Sequence, residues 1–97
     1  MKTISFVWDG TKAESNLKKH KISFKEAQTV FSDPNARMIF EPEHSGKEDR
    51  FIILGISSGL RVLVVCHCYI EDAMVIRIIS ARKANKSEQK QYGSFLL

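Results

Sequence analysis

The stretch Arg77-Ile78-Ile79-Ser80-Ala81-Arg82-Lys83 has an arginine in the middle of an apolar strand pattern and ends in a basic cluster. The apolar residues predict a strand within a sheet. A charged side chain is almost never fully buried without a partner, so Arg77 must face a counter-ion or an open, hydrated sheet surface. An open surface that carries arginine favours the binding of phosphate groups.

Length and composition are typical of one globular domain over residues 1–97, with 43% hydrophobic and 27% charged residues. The formal net charge of +4 is unevenly distributed. Residues 1–76 contain ten basic and ten acidic residues, whereas residues 77–97 contain five basic residues and one acidic residue. This C-terminal surplus can attract a polyanion. A solvated basic helix, or a surface that docks an acidic protein, explains the same surplus.

The sequence has no secretory signal, and no segment approaches the roughly 20 apolar residues of a membrane span. A cytoplasmic protein without membrane contact is therefore expected. Cys66 and Cys68, two residues apart on a predicted strand, point the same way and are interpreted as small core residues. Because paired-cysteine and paired-histidine spacings are missing, neither a metal nor another cofactor is expected.

Three helices are predicted from N-terminal capping patterns. Thr11-Lys12-Ala13-Glu14 and Ser23-Phe24-Lys25-Glu26 both have the S/T-x-x-E form of a capping box. The first helix should continue to about residue 20, and Asp33-Pro34 should stop the second. Asn85-Lys86-Ser87-Glu88 resembles a third start, with Gly93 as the C-terminal cap.

Alternating apolar residues predict five strands, at roughly 5–8, 36–40, 48–54, 61–70 and 73–80. Short polar connections at 44–46, 57–59 and 71–72 are typical of hairpins between antiparallel neighbours. The sequence therefore predicts an α+β domain. It has a central antiparallel β-sheet of about five strands, two N-terminal helices and a C-terminal helix, in the order β-α-α-β-β-β-β-α.

Alternation along the strands predicts which side chains share a face of the sheet. In the strand 61–70, the even-numbered positions are uniformly apolar and are expected to pack on the helices, as are Ile76 and Ile78. The opposite face would then collect Glu48, Arg50, Arg61, His67 and Arg77. If the alternation continues unbroken, Ser80 and Arg82 point to the face opposite Arg77. They join the face of Arg77 only if the chain bends as it leaves the sheet.

The residue types on this predicted face match the chemistry of RNA cleavage. Guanidinium groups bind phosphate through two hydrogen bonds and stabilise developing charge, while a carboxylate or an imidazole exchanges protons near neutral pH. RNA supplies its own nucleophile, the 2′-hydroxyl, so such a site needs no metal. The same residues also suit a solvated face on which Glu48 and Arg50 form a cross-strand ion pair, and their pattern leaves both interpretations open.

A series of short motifs extends over nearly the whole chain: Phe6-x-Trp8-Asp9, Lys12, Asn16-x-x-Lys19-His20-x-Ile22-x-Phe24-x-Glu26-Ala27, Phe31-x-Asp33-Pro34, His44-Ser45, Glu48-x-Arg50-Phe51, Gly55, Arg61-x-Leu63-x-Val65 and Arg77-Ile78-Ile79-Ser80-Ala81-Arg82-Lys83-Ala84. In this order and spacing, the motifs resemble toxins of the BrnT family from bacterial type II toxin-antitoxin systems. The resemblance implies a fold similar to RelE-type ribonucleases and an RNA-cleaving activity that inhibits translation, on free RNA or at the ribosome. It also implies a BrnA-type antitoxin that neutralises the toxin. The toxin would bind operator DNA only as part of a complex with this antitoxin.

The positions that match the family pattern and can take part in chemistry are Lys19, His20, Glu48, Arg50, Arg61, Arg77, Ser80 and Arg82. His67 lies outside that pattern and is reduced to a substrate contact at most. Trp8 and the phenylalanines are interpreted as core residues.

The resulting hypothesis is metal-independent endoribonucleolytic cleavage, in which the 2′-hydroxyl attacks the adjacent phosphate to leave a 2′,3′-cyclic phosphate and a 5′-hydroxyl. Arg61 and Arg77 would bind the scissile phosphate, and Glu48 or His20 would be the base or the acid. The residues expected to hold the flanking RNA are Lys19, Arg50, Ser80, Arg82 and Lys83. Two other classes of function fit the same surface: a non-catalytic RNA- or ribosome-binding module, and an antitoxin-binding subunit that acts in operon autoregulation.

Overall fold

Five strands form one sheet in the computed structural model, which describes residues 3–40, 49–70, 72 and 74–94. The strands are β1 (Ser5–Val7), β2 (Arg37–Phe40), β3 (Phe51–Ile56), β4 (Val62–Ile70) and β5 (Val75–Lys83). Their order across the sheet is β1-β5-β4-β3-β2. Neighbours from β2 to β5 pair antiparallel, as predicted, whereas β1 joins the edge of β5 in parallel.

Three helices complete the fold: α1 (Gly10–His20), α2 (Phe24–Thr29), which continues into a 3₁₀ turn at Val30–Ser32, and α3 (Lys86–Ser94). The predicted α+β architecture, with two N-terminal helices and one C-terminal helix, is confirmed. No helix among the described residues is long and apolar enough to cross a membrane.

The capping patterns predicted the first residues of α2 and α3 correctly, but not the cap of α1. Asp9, and not Thr11, caps α1, because its Oδ1 accepts hydrogen bonds from the amides of Thr11 at 2.8 Å and Lys12 at 3.1 Å. Ser23 caps α2 as expected, through a 3.0 Å bond from the amide of Glu26.

The C-terminal helix has a complete capping box. The amide of Glu88 donates to Asn85 Oδ1, and the amide of Asn85 donates to Glu88 Oε1, both at 2.8 Å. Gly93 does not cap this helix, since α3 continues through it to Ser94.

The two faces of the sheet pack against different elements. The inner face packs on α1, α2 and the 3₁₀ turn and carries Ile53, Leu63, Val65, Ile78 and Ala81. The helical side of this core consists of Ile22, Phe24, Ala27 and Val30. On the outer face, Leu54 and Val64 pack with Ala84 and with Tyr92 of α3.

The predicted orientation of β4 is wrong. Leu63, Val65 and His67, and not the even-numbered set, face the helices. Both alternating sets of this strand are largely apolar, so the choice between them comes from register with Ile53 and Ile78 on the neighbouring strands.

His67 is consequently a core residue and no substrate contact. Its side chain is completely buried, and its ring stands edge-on to the ring of Phe31 with centroids 4.8 Å apart. Nδ1 lies 3.2 Å from the carbonyl oxygen of Val65. Burial lowers the pKa of His67 and so favours its neutral form.

A β-bulge in β5 decides which face its C-terminal half presents. His67 pairs with Ile78, but the preceding residue, Cys66, pairs with Ser80, so Ile79 is an extra residue. Before the bulge, Arg77 pairs with Cys68 on the outer face. After it, Ser80 and Arg82 lie on that same face. A bulge within the strand, and not the predicted bend at its end, therefore brings Ser80 and Arg82 to the face of Arg77.

The edge of β5 that lies away from β4 is only partly covered by β1, which pairs with residues 75–77. Further along, the buried side chain of Asn16 on α1 takes the place of a neighbouring strand. Its Nδ2 donates to the carbonyl of Ala81 at 2.8 Å and to that of Ile22 at 3.0 Å, and its Oδ1 accepts from the amide of Ala81 at 3.1 Å. One amide side chain thus fastens α1 to the strand edge just beyond the bulge.

Replacing Asn16 with alanine should lower the free energy of unfolding by about 3 kcal/mol, because buried backbone groups of Ala81 and Ile22 lose their partners. Urea unfolding followed by circular dichroism measures this. Ser15→Ala, an exposed change on the same helix, is the matched control. Equal stability of the two variants would contradict the role of Asn16.

Candidate functional site

Three adjoining cavities follow β5 and meet at the bulge residue Ile79, which lines all of them. The first, of about 220 Å³, includes Arg50, Cys66, Ser80 and Arg82. The second, of about 260 Å³, is lined by Lys12, Lys19 and His20 of α1 together with Ser80. The third, of about 320 Å³, contains Trp8, Asp9, Lys12 and Arg77. We call these three cavities together the β5 groove, defined by Arg50, Arg77, Ser80, Arg82, Lys12, Lys19 and His20.

The β5 groove is strongly cationic. Five basic side chains line its cavities, and Asp9 is the one carboxylate among the described residues that do so. Asp9 already accepts two backbone hydrogen bonds at the start of α1. A concave surface lined mainly by one sign of charge concentrates oppositely charged ligands, so this groove favours a polyanion.

Arg50 is the groove cation with an unmet hydrogen-bonding requirement. It lies just before β3 and shares a cavity with Ser80 and Arg82. Within the described residues, its Nε atom is buried and has no hydrogen-bond partner. A buried guanidinium donor without an acceptor is costly, and Arg50 nonetheless lines a cavity in which guanidinium groups can bind phosphate.

Arg82 is held rigidly at the edge of the same cavity. Its two terminal nitrogens donate to the two carboxylate oxygens of Glu88 on α3, at 2.8 and 2.9 Å. The hydrogen bonds from Arg82 lower the pKa of Glu88, which keeps the carboxylate charged. Glu88 therefore ties Arg82 to the capping box of α3 and offsets part of its charge.

Lys19 and His20 enter the groove from the last turn of α1. The helix ends at Lys21, which has a left-handed backbone with φ of 61° and donates its amide to the carbonyl of Leu17 at 2.9 Å. This ending places Lys19 and His20 beside Ser80, at the strand edge that Asn16 fastens. The imidazole is partly exposed in that cavity, where it can meet a substrate.

Arg61 does not join the groove, so its predicted grouping with Arg77 is wrong. Its Nε donates to Oε2 of Glu26 at 3.0 Å, and its Nη2 makes a second, short bond to Oε1. Arg61 also precedes Cys68, the pairing partner of Arg77, by seven residues, which is roughly 23 Å along an extended strand.

The remaining predicted site residues divide as follows. Lys83 pairs with Leu63 at the end of the sheet and lines a separate cavity with Arg61 and Gln89. Its predicted place beside Arg82 is therefore wrong, because successive strand residues point to opposite faces. Glu48, and the turn predicted at 44–46, lie outside the described residues.

Sequence reasoning missed two groove residues, Lys12 and Trp8. Lys12 and Lys19 are seven residues apart, two helical turns, and so share one face of α1, a spacing that could have linked them. Trp8, expected in the core, is 36% exposed and lines the cavity that contains Arg77. Aromatic character alone did not indicate that position.

The Arg61–Glu26 pair gives a pH-dependent contribution to stability. Hydrogen bonding to Arg61 is the largest influence on the Glu26 pKa and lowers it, assisted by a 2.6 Å bond from Ser57 Oγ and opposed by burial. The contribution is thus fully present above the ordinary glutamate pKa, near 4.5, and is lost as the pH falls through the lower folded-state pKa.

Wild type should therefore exceed Glu26→Gln in urea stability most at neutral pH, and the difference should shrink as the pH falls below about 4.5. Paired unfolding curves across the acid range measure it. Lys25→Gln on the same helix is the control and should show no such trend. A difference that stays constant with pH would contradict the assignment.

Comparison with known proteins gives a consistent result. A sequence model of the family described as "Ribonuclease toxin, BrnT, of type II toxin-antitoxin system" matches residues 8–88. The fold is similar to the 1.1 Å crystal structure of the Brucella abortus ribonuclease toxin BrnT, with a TM-score of 0.67 and 23% sequence identity. That match covers 87% of this chain and 100% of the Brucella chain. A sequence search of curated proteins finds no match.

Proposed function

Because the chain belongs to the BrnT family of ribonuclease toxins from type II toxin-antitoxin systems, we propose that it is an endoribonuclease whose active site is the β5 groove. The observation that carries this proposal is the bulge at Ile79. It brings Ser80 and Arg82 onto the face of Arg77, and Arg50 lines a cavity of the same groove. Convergent guanidinium groups in a concave surface suit the phosphates of RNA.

The proposed reaction is a transesterification that needs no metal. The 2′-hydroxyl oxygen attacks the adjacent phosphorus and passes its proton to a base, while the bond to the 5′-oxygen breaks and that oxygen receives a proton from an acid. The products are a 2′,3′-cyclic phosphate and a 5′-hydroxyl. His20 is the described residue suited to one of these proton transfers, and Glu48 is the candidate for the other.

Arg50 and Arg77 are proposed to bind the scissile phosphate and the charge that develops on it. Arg50 takes the role first considered for Arg61, since Arg61 lies outside the groove, where Glu26 binds its guanidinium. Lys12, Lys19, Ser80 and Arg82 would hold the flanking backbone. Lys83 would not contact this part of the RNA, because it faces the opposite side of the sheet from Arg82 and lines a separate cavity with Arg61.

The proposed cellular role is that of a toxin that arrests growth. RNA cleavage in the cytoplasm would inhibit translation, on free RNA or on RNA bound to the ribosome. A BrnA-type antitoxin would neutralise the toxin, and operator DNA would be reached only through that partner. Growth arrest on expression of the toxin, relieved by co-expression of the antitoxin encoded beside it, tests this role.

Arg77→Ala and Arg50→Ala should each reduce RNA cleavage roughly 100-fold or more, because each removes a hydrogen-bond donor to transition-state charge. Purified variants are incubated with radiolabelled RNA, with and without EDTA and translating ribosomes, and the products are tested for a cyclic phosphate. Arg37→Ala, an exposed arginine on β2 at the far edge of the sheet, is the matched control.

Wild-type activity in a folded Arg77→Ala variant would reject this active site, and loss of free-RNA cleavage in EDTA would reject the metal-independent reaction. RNA binding without cleavage under every condition would identify a non-catalytic binding module. If the variants lost only antitoxin binding, the groove would be an interaction surface.

Lys19→Ala should weaken binding of a non-cleavable 2′-O-methyl RNA and reduce the slope of log K against log salt by about 0.7, the value for one phosphate contact on a single strand. Lys18→Ala is the matched control, since Lys18 is an exposed neighbour on α1 that does not line the groove. Fluorescence anisotropy at several salt concentrations gives both slopes. Equal slopes for the two variants would remove Lys19 from the site.

A further inference from the structure

We propose that Trp8 is a stacking platform for one RNA base, next to the phosphate bound by Arg77. The inference rests on the proposed function, because it assigns a base-binding subsite within the β5 groove. The nucleotide would place its base against the indole ring and its phosphates near Lys12 and Arg77. Single-stranded RNA is commonly held by this combination of aromatic rings and cations.

The position of Trp8 differs from that of a purely structural tryptophan. Its side chain is 36% exposed, although its ring meets the buried ring of Phe24 at 79°, with centroids 6.0 Å apart. The indole is thus anchored on the core and also lines the 320 Å³ cavity. A cavity of this volume is at the lower end of the range for small-ligand sites, which suits one nucleotide.

The backbone around Trp8 is fixed on both sides. Val7, before it, pairs with Arg77 in the parallel β1–β5 ladder, and Asp9, after it, caps α1 through two hydrogen bonds. An aromatic ring on such a support loses little conformational freedom when a base stacks on it.

The charges around the ring favour a base over a phosphate at this point. The carboxylate of Asp9 adjoins Trp8 and repels phosphate, whereas Lys12 and Arg77 lie in the same cavity and attract it. The arrangement suits a nucleotide whose uncharged base lies on the indole while its phosphates lie on the two cations.

The chain contains a single tryptophan, so its intrinsic fluorescence reports on this subsite directly. The probe is 2′-O-methyl oligo-A, which cannot undergo attack by a 2′-hydroxyl. Titration into the wild-type protein should quench the fluorescence, with the same midpoint as the anisotropy of a labelled copy of the oligonucleotide. No change in the emission of Trp8 while anisotropy reports binding would overturn the proposal.

Trp8→Leu keeps an apolar side chain but loses the stacking surface, so it should bind the labelled probe about tenfold or more weakly. Trp8→Phe should bind with intermediate affinity. Leu17→Ala, an exposed apolar residue of α1 outside the groove, is the control and should bind like the wild type. Urea unfolding establishes that each variant is folded, and the wild-type titration stands whether or not Trp8→Leu folds.

The outcomes separate this inference from the proposed function. Quenching together with weaker binding by a folded Trp8→Leu variant supports the subsite, even if the protein cleaves no RNA. Cleavage by the wild type, with no quenching and with full affinity in Trp8→Leu, rejects the subsite and leaves the nuclease in place. Absence of both RNA binding and cleavage rejects both.

Discussion

The bulge at Ile79 is the feature on which the candidate site depends. A strand has a strict two-residue alternation, so one extra residue exchanges the faces of everything beyond it. In β5 this exchange lets Ile78 and Ala81 both pack into the inner core while Arg77, Ser80 and Arg82 all face outward. Without the extra residue, Ser80 and Arg82 would point into the helical core, where an arginine would need a buried counter-ion. The same local irregularity therefore serves the packing of the core and the assembly of a cationic groove.

The edge of β5 gives the groove its second wall. β1 ends early, and Asn16 satisfies the exposed backbone groups of Ala81 that a longer strand would have covered. This short contact brings the face of α1 that carries Lys12, Lys19 and His20 directly beside Ser80. Backbone groups at the edge of a sheet need hydrogen-bond partners. Asn16 supplies them at Ala81 and thereby also positions α1 with His20, the candidate proton-transfer residue. Its hydrogen bonds account for its presence in a helix that is otherwise mostly exposed.

Charge alone did not distinguish the arginines that line the groove from Arg61, which lies outside it. Arg61 and Arg77 both appeared as cations on strands with apolar alternation, yet Arg61 is bound by Glu26 from α2 and stabilises the packing of that helix near the β3–β4 turn. The sequence could not reveal this pair, because Glu26 and Arg61 are 35 positions apart and meet only in the folded chain. For Trp8 the prediction was wrong in the opposite direction, since a residue expected in the core lines the groove. Aromatic size predicted burial, but its position at the junction of β1 and α1 leaves much of the ring in a cavity.

The sequence by itself determined the α+β class, the three helices, five strands to within a few residues, and the family. These properties depend on local signals: alternation of apolar residues, capping side chains, and short motifs in a particular order and spacing along the chain. Arg50 and Arg77 were also assigned correctly to one face, since each is a charged residue beside or within an apolar run. Tertiary structure alone decided the orientation of β4, the burial of His67, the pairing of Arg61 and the return of Ser80 and Arg82 to the outer face. The physical reason is that register between strands is a non-local property: a strand that is apolar on both sides, or that contains one extra residue, takes its orientation from its neighbours.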